Sequence, residues 1–281
     1  MAGKNFDAFQ KTIAREFMQH PAVTENTYTR WFSYGDVPLD HLRDFTVQFS
    51  VFSNQFLLAA LNRVINADTL GGARESKEIL MNELGVIYNK GEKTSAHGES
   101  SRRADTDDHE GDPALVSTEG TVDGGKFRFQ AAHFEWLLRF GEPLGLKFDD
   151  MGKRRHGTPS TLHFCDGLFR LYGSDDYNEA MGASFAVENW AAAGFWKELI
   201  AGLEKIKDSR VPDLPLAFFT WHDKIEDQHK AHTWDELRDC YHSPKFREEP
   251  FIRAGVEMLD GVKVFWDGLN DLRGHPRARV A

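Results

Sequence analysis

The chain has 281 residues with a formal charge of −10, and its 41% hydrophobic and 12% aromatic content is enough for a sizeable core. Its cations do not gather into one long patch, so nucleic acid is not an expected partner. No apolar run reaches the eighteen or so residues needed to span a bilayer, and the N-terminus lacks the apolar core of a signal peptide, so a cytoplasmic protein is expected. Cys165 and Cys240 are the two cysteines, too few for a disulfide framework or a thiolate metal cage. Any metal must be held by histidine and carboxylate.

Helical periodicity runs through most of the chain. Phe6, Phe9, Ile13 and Phe17 recur at three- and four-residue steps over residues 5–20, and Pro21 ends that helix. A long helix follows Pro38 through Phe45, Phe49, Phe52, Phe56 and Leu61, the spine of a bundle. A third, from Ala73 to about Tyr88, carries Ile79, Leu80, Val86 and Ile87. Residues 90–125 lose the periodicity and are rich in Gly, Ser, Thr, Asp and Glu, as expected of a flexible insertion.

The helical pattern resumes at Phe127 and passes through Phe129, His133, Trp136, Leu137, Phe140 and Leu144. A basic turn, Lys153 to Gly157, precedes a helix from Pro159 to Tyr172 and a long one from Asp175 to Lys207. Pro212 and Pro215 punctuate before a helix from Leu216 to Tyr241, and the last helix spans about Lys245 to Leu272. With no strand and no repeat evident, the expected fold is all-α, one domain of seven or more helices over residues 1–281, with a frayed tail at 274–281.

The stretch Trp221 to His232 carries the strongest chemical signal. His222, Glu226 and His229 stand at positions 0, +4 and +7, which on a helix fall within roughly 60° of arc. Asp223 and Asp227 point elsewhere, whereas Phe218, Phe219 and Ile225 flank the triplet, so an apolar stripe runs into two imidazoles and a carboxylate. A carboxylate buried there needs a partner to neutralise it. Three further ionisable residues sit on apolar stripes. Glu83 is in line with Ile79, Leu80 and Val86; His133 with Phe129, Leu137 and Phe140; Glu188 with Met181, Phe185, Ala192 and Phe195. Singly each reads as a core or helix-end residue. Together they make three carboxylates and three imidazoles from four helices, the ligand count of a di-iron or di-manganese carboxylate centre.

At these residues the chain resembles the haem-oxygenase-like di-iron oxidases, seven-helix relatives of haem oxygenase and the TenA thiaminases (a TenA/CADD/PqqC-like fold). The resemblance rests on Asn82-Glu83-Leu84-Gly85, on His133 leading His133-Phe134-Glu135-Trp136-Leu137-Leu138, on the lone Glu188, and on His222-x3-Glu226-x2-His229, and it covers about residues 30–270. It departs from the family in having Glu226 where Asp is usual, with Asp227 as an alternative ligand, and in the fifty positions between Glu83 and His133. His97 and His109 in that insertion are competing ligands without an apolar stripe beneath them.

The resemblance implies a haem-oxygenase-like bundle holding two iron ions, with manganese as the alternative, that reduces O2 beside a small organic substrate such as a carboxylic acid, amino acid or amine, with C–C cleavage or N-oxidation as the outcome. It implies metal ligation by Glu83, His133, Glu188, His222, Glu226 and His229. Phe185, Trp190, Phe195 and Phe219 are candidates to line the substrate pocket or are simply core, and Lys153, Arg154, Arg155 and His156 either hold a substrate carboxylate or form a solvated loop. Expected partners are the small-molecule substrate, an external electron donor and, as an assembly, a homodimer, but no membrane. Competing readings are a TenA-like hydrolase with Cys165 or Cys240 as nucleophile, haem binding through His20, and a non-catalytic metal- or partner-binding module.

Overall fold

The computed structural model describes residues 5–89, 117–122, 125–129 and 132–274. The side chains of residues 75, 82, 87–89, 117–122, 125–129 and 225–232 are outside that description. Among the described residues the chain folds into eleven α-helices: α1 (Phe6–Glu16), α2 (Pro21–Thr24), α3 (Thr27–Phe32), α4 (Leu39–Ile65), α5 (Leu70–Glu83), α6 (His133–Gly141), α7 (Pro159–Leu171), α8 (Tyr177–Ala191), α9 (Phe195–Ser209), α10 (Ala217–Cys240) and α11 (Glu248–Leu272). The expected helical bundle is present. None of the described helices is long and apolar enough to cross a membrane.

Side chains that cap helix ends mark the boundaries. Asn5 accepts from the Ala8 amide at 3.1 Å to open α1, Thr158 from Thr161 at 3.2 Å to open α7, and Asp176 from Asn178 at 2.9 Å to open α8, each a cap worth about 1 kcal/mol. The core forms around α11, which packs against α7 and α8, while α4 packs against α5, α6 and α7. Phe45, Phe49, Phe164, Phe185, Phe219, Phe251 and Phe265 meet there with essentially no exposure.

Several expectations about elements are corrected. A three-stranded antiparallel sheet of order β1-β3-β2 forms from β1 (Val86–Asn89), β2 (Ser117–Val122) and β3 (Gly125–Phe129). The third helix therefore stops at Glu83, and Val86-Ile87-Tyr88, expected as its last turn, is strand. Phe127 and Phe129 likewise belong to β3 and not to the helix that starts at His133. The insertion expected to be loop throughout 90–125 contains β2, and its residues 90–116, 123 and 124 lie outside the described residues. The expected helix from Asp175 to Lys207 is two helices. The break falls at Gly194, whose φ of +101° is open to glycine and strained for any other residue. Finally, the first helix ends at Glu16 and not at Pro21. Pro21 occupies the first turn of α2, where its fixed φ suits a helix start.

Candidate functional site

The sheet explains how two site residues fifty positions apart come together. Glu83 is the last residue of α5 and His133 the first of α6. Between them, β1 and β3 pair antiparallel with Val86 opposite Phe129, so the chain leaves Glu83 and returns to His133 along one ladder. The outcome is a contact of 3.0 Å between Glu83 Oε2 and His133 Nδ1.

His133 is 5% exposed, and among the described residues neither ring nitrogen makes a hydrogen bond, although the Glu83 oxygen stands 3.0 Å from Nδ1. A buried imidazole with both nitrogens unsatisfied is costly, because each forgoes its bond to water without replacement. Aromatic rings enclose it, with Trp221 at 4.7 Å and Trp136 at 5.5 Å between ring centroids.

His222, about one and a half turns from the start of α10, lies beside it at 4.8 Å between ring centroids. Its Nδ1 donates to the Phe218 carbonyl at 2.6 Å, which leaves Nε2 as the lone-pair nitrogen. That arrangement is the usual one for a metal-ligating histidine, whose second nitrogen is fixed by a backbone carbonyl. Trp196 stacks on the His222 ring at 5.0 Å and 27°, and Phe218 abuts it at 4.2 Å. The two imidazoles thus share an apolar box whose walls come from α6, α9 and α10, and the Glu83 carboxylate meets it at His133 Nδ1.

Glu188 is half-buried on α8, beside a separate polar group. Burial raises the pKa of the fully buried Tyr172 hydroxyl well above its ordinary value, with Arg63 opposing that shift and Glu188 and Glu236 reinforcing it. The Arg63 guanidinium lies 4.8 Å from the Tyr172 ring centroid and 3.9 Å from Glu236. The neighbouring residue fixes where Glu188 sits along α10. Asn189, 1% exposed, donates to Phe185 O at 2.8 Å and to Thr233 Oγ1 at 3.1 Å, and accepts from Trp234 Nε1 at 3.1 Å. This satisfied buried network locks the register of α8 against α10.

Helix α10 runs unbroken through positions 222, 226 and 229, but the side chains of Glu226, Asp227 and His229 lie outside the described residues, as do His97 and His109. Among the described residues, no three His, Cys, Asp or Glu side chains are grouped so as to hold a metal ion. Of the expected ligands, then, Glu83, His133 and His222 are neighbours and Glu188 stands on the adjoining helix.

The four residues proposed for a substrate pocket sit in the core. Phe185 packs on Phe17, Trp234 and Phe251, and Phe219 on Phe45, Phe140 and Trp196. Trp190 and Phe195 stack at 4.6 Å and 12° and line a cavity of about 80 Å³ with Asn26 and Glu198. Trp196 and Trp221, which wall the imidazoles, escape a sequence reading because each is assigned to the site only by tertiary contact. The cysteines lie elsewhere. Burial pushes the Cys165 thiol up to about 12 and the Cys240 thiol up to about 11, so both stay protonated and weakly nucleophilic at neutral pH.

No family model and no curated protein sequence matches the chain. The fold does find a counterpart. The chain superposes on the crystal structure of a TenA homolog from Pseudomonas syringae pv. tomato with a TM-score of 0.61, at 12% identity and over 94% of this chain and 93% of that one. The architecture is therefore the TenA-like helical fold, here with a small three-stranded sheet, and at this identity the likeness speaks for fold alone.

Proposed function

We propose that the chain is a non-haem di-iron enzyme, an O2-dependent oxidase or oxygenase acting on a small organic substrate such as a carboxylic acid, amino acid or amine. Its proposed ligands are Glu83, His133, Glu188, His222, Glu226 and His229, with manganese as the alternative metal. The observation that carries this reading is His133: a buried imidazole that makes no hydrogen bond among the described residues, next to a carboxylate and to a second imidazole whose Nδ1 proton a backbone carbonyl holds. Oxygen and nitrogen donors of this kind suit mid-row divalent metals. The metal pair, when bound, supplies O2 activation and electron transfer.

The rest of the work falls to the protein. Phe218 O holds the His222 proton on Nδ1, which makes Nε2 the nitrogen that carries the lone pair. Trp136 and Trp221 shield the buried His133 imidazole from water, and Trp196 and Phe218 cover part of the His222 ring, which strengthens the polar interactions there. Asn189 keeps α8 and α10 from sliding, so that Glu188 stays at one level relative to the triplet. Ferrous loading under anaerobic conditions followed by metal analysis tests the reading. Two irons per wild-type chain are expected, with loss of loading in Glu188→Ala and His229→Ala at unchanged helical circular dichroism, and O2 uptake on exposure to air. Full loading of either variant removes that residue from the site.

A TenA-like hydrolase is the second reading, and the structural comparison backs it more directly than the di-iron one, since the molecule it matches is a TenA homolog. It requires a reactive cysteine, against which stands the protonated state of both thiols. Substrate turnover without iron that is abolished by Cys165→Ala or Cys240→Ala would establish it over the di-iron enzyme.

A further inference from the structure

The basic turn that the metal reading leaves unused is a built feature of the surface. Three polar side chains of α4 pin residues 152–158. The Ser50 hydroxyl accepts from Gly152 N at 3.0 Å, and Asn54 Nδ2 donates to Gly152 O at 2.9 Å. Gln48, wholly buried, donates to His156 O at 2.9 Å and accepts from Thr158 N at 2.7 Å. The His156 ring closes the turn on Asp149 O at 2.7 Å. Gly152 has φ +70°, and a Cβ there would meet the Phe134 ring at 2.3 Å, so the turn presses flat on that ring in a conformation only glycine accepts comfortably. The alternative of a free solvated loop does not fit backbone held at both ends by buried side chains.

The result is an open groove of about 540 Å³ between α4, the start of α6 and the pinned turn, and its lining includes no carboxylate-bearing residue. Its cations differ in how they are used. Arg154 is engaged by Asp166, at 2.7 and 2.9 Å. Lys153 Nζ donates once, to Phe148 O at 2.6 Å, and sits 3.4 Å from the Phe148 ring centroid. Among the described residues Arg155 makes a single hydrogen bond, at 3.3 Å to Asp149 O. An ammonium carries three donors and a guanidinium five, so most of these N–H groups have no acceptor among the described residues. Beside them Phe148 is 57% exposed, an apolar ring presented to solvent in a chain whose overall charge is −10.

We propose that this groove is a binding site for a small organic anion carrying a flat apolar ring, its anionic end held by Lys153 and Arg155 and its ring laid against Phe148 and Phe134. Charge-assisted hydrogen bonds supply direction, and the exposed ring supplies the apolar contact that a bare inorganic anion lacks. The site is distinct from the imidazole box. Phe134 follows His133 on α6 and faces the groove, whereas His133 faces Trp136 and Trp221.

Isothermal titration calorimetry of the full chain with benzoate and with phenyl phosphate tests this and separates a carboxylate from a phosphate ligand. Benzamide serves as the uncharged control and inorganic phosphate as the ringless one. Saturable binding of at least one aromatic anion is expected, at least tenfold weaker in Lys153→Gln/Arg155→Gln, and several-fold weaker in Phe148→Ser, with both controls at least tenfold weaker than that anion. All three changed residues are partly or well exposed, and unchanged circular dichroism verifies the fold. Absence of saturable binding for both anions, undiminished binding in the double variant, or benzamide or phosphate binding as well as the best anion would each overturn the proposal.

Discussion

Replacing His133 by leucine separates a metal ligand from a structural histidine, because the two roles predict opposite signs for the stability change. The imidazole is 5% exposed, and among the described residues neither nitrogen makes a hydrogen bond. Removing an unsatisfied buried polar group relieves about 1–3 kcal/mol. Against that, the 3.0 Å contact with Glu83 is lost. That carboxylate keeps some access to solvent, so the loss is about 1 kcal/mol or less. The net expectation is an apo variant more stable than wild type by about 1 kcal/mol, or about 2 °C in Tm for a chain of this size.

Metal reverses the order. At a free metal concentration a hundredfold above Kd, a native-state ligand adds about 2.7 kcal/mol. Wild type is expected to gain that increment with Mn(II), an air-stable stand-in for ferrous iron, and His133→Leu to gain little of it. The assay is thermal unfolding followed by circular dichroism, after chelation and then with added Mn(II). A variant less stable than wild type in the chelated state, or one that gains the same increment with metal, would refute the argument and return His133 to a structural role.

Three further outcomes follow from the packing and the buried titrating groups. Gly182→Ala places a Cβ 2.0 Å from Phe251 O on the α8–α11 contact, so the helices must part and the denaturation midpoint should fall by an amount equivalent to about 1–3 kcal/mol. His41, hydrogen-bonded to Tyr28 at 2.9 Å, has its pKa lowered by burial, and secondarily by Arg273, to about 4. It is neutral in the fold while the unfolded chain takes up the proton below its ordinary value near 6.5, so stability is lost as pH falls from about 6.5 toward 4; His41→Gln should flatten that acid limb by about 1–2 kcal/mol in pH-dependent denaturation. Cys165, held protonated by burial with its pKa near 12, should resist iodoacetamide in the native protein at pH 8 and react once unfolded, as peptide mass spectrometry would register.

The helical stripes are readable in the sequence because each buries one continuous apolar face, and the ionisable residues on them stand out by contrast. The same periodicity misleads at two places. Phe129 and His133 are four apart, which suits a helix, yet Lys126-Phe127-Arg128-Phe129 also alternates with the period of a strand, and pairing with β1 decides between them. The run Ala191-Ala192-Ala193 has high helix propensity, and the left-handed backbone of Gly194 interrupts what composition would continue. Asn189 shows the other limit. As an isolated amide between Glu188 and Trp190 it carries no pattern, and its role comes wholly from Thr233 and Trp234 on another helix.

The separation of Glu83 from His133, which sets this chain apart from the family it resembles, is a matter of topology and not of distance. Asn89 pairs with Lys126 at the far end of the β1–β3 ladder, so the chain could turn there directly. Replacing residues 90–125 by Asn-Gly would join the two strands through a two-residue hairpin loop, for which that dipeptide is favoured. Shortening the loop by roughly four doublings of length recovers about 2–3 kcal/mol of closure entropy, offset by the lost pairing of β2 on β3. The shortened protein is expected to keep its helical circular dichroism and to take up the same number of metal ions per chain, with His133→Leu still abolishing uptake. A folded product that no longer binds metal would move the missing ligands into the removed segment, to His97 or His109, and take His133 out of the centre.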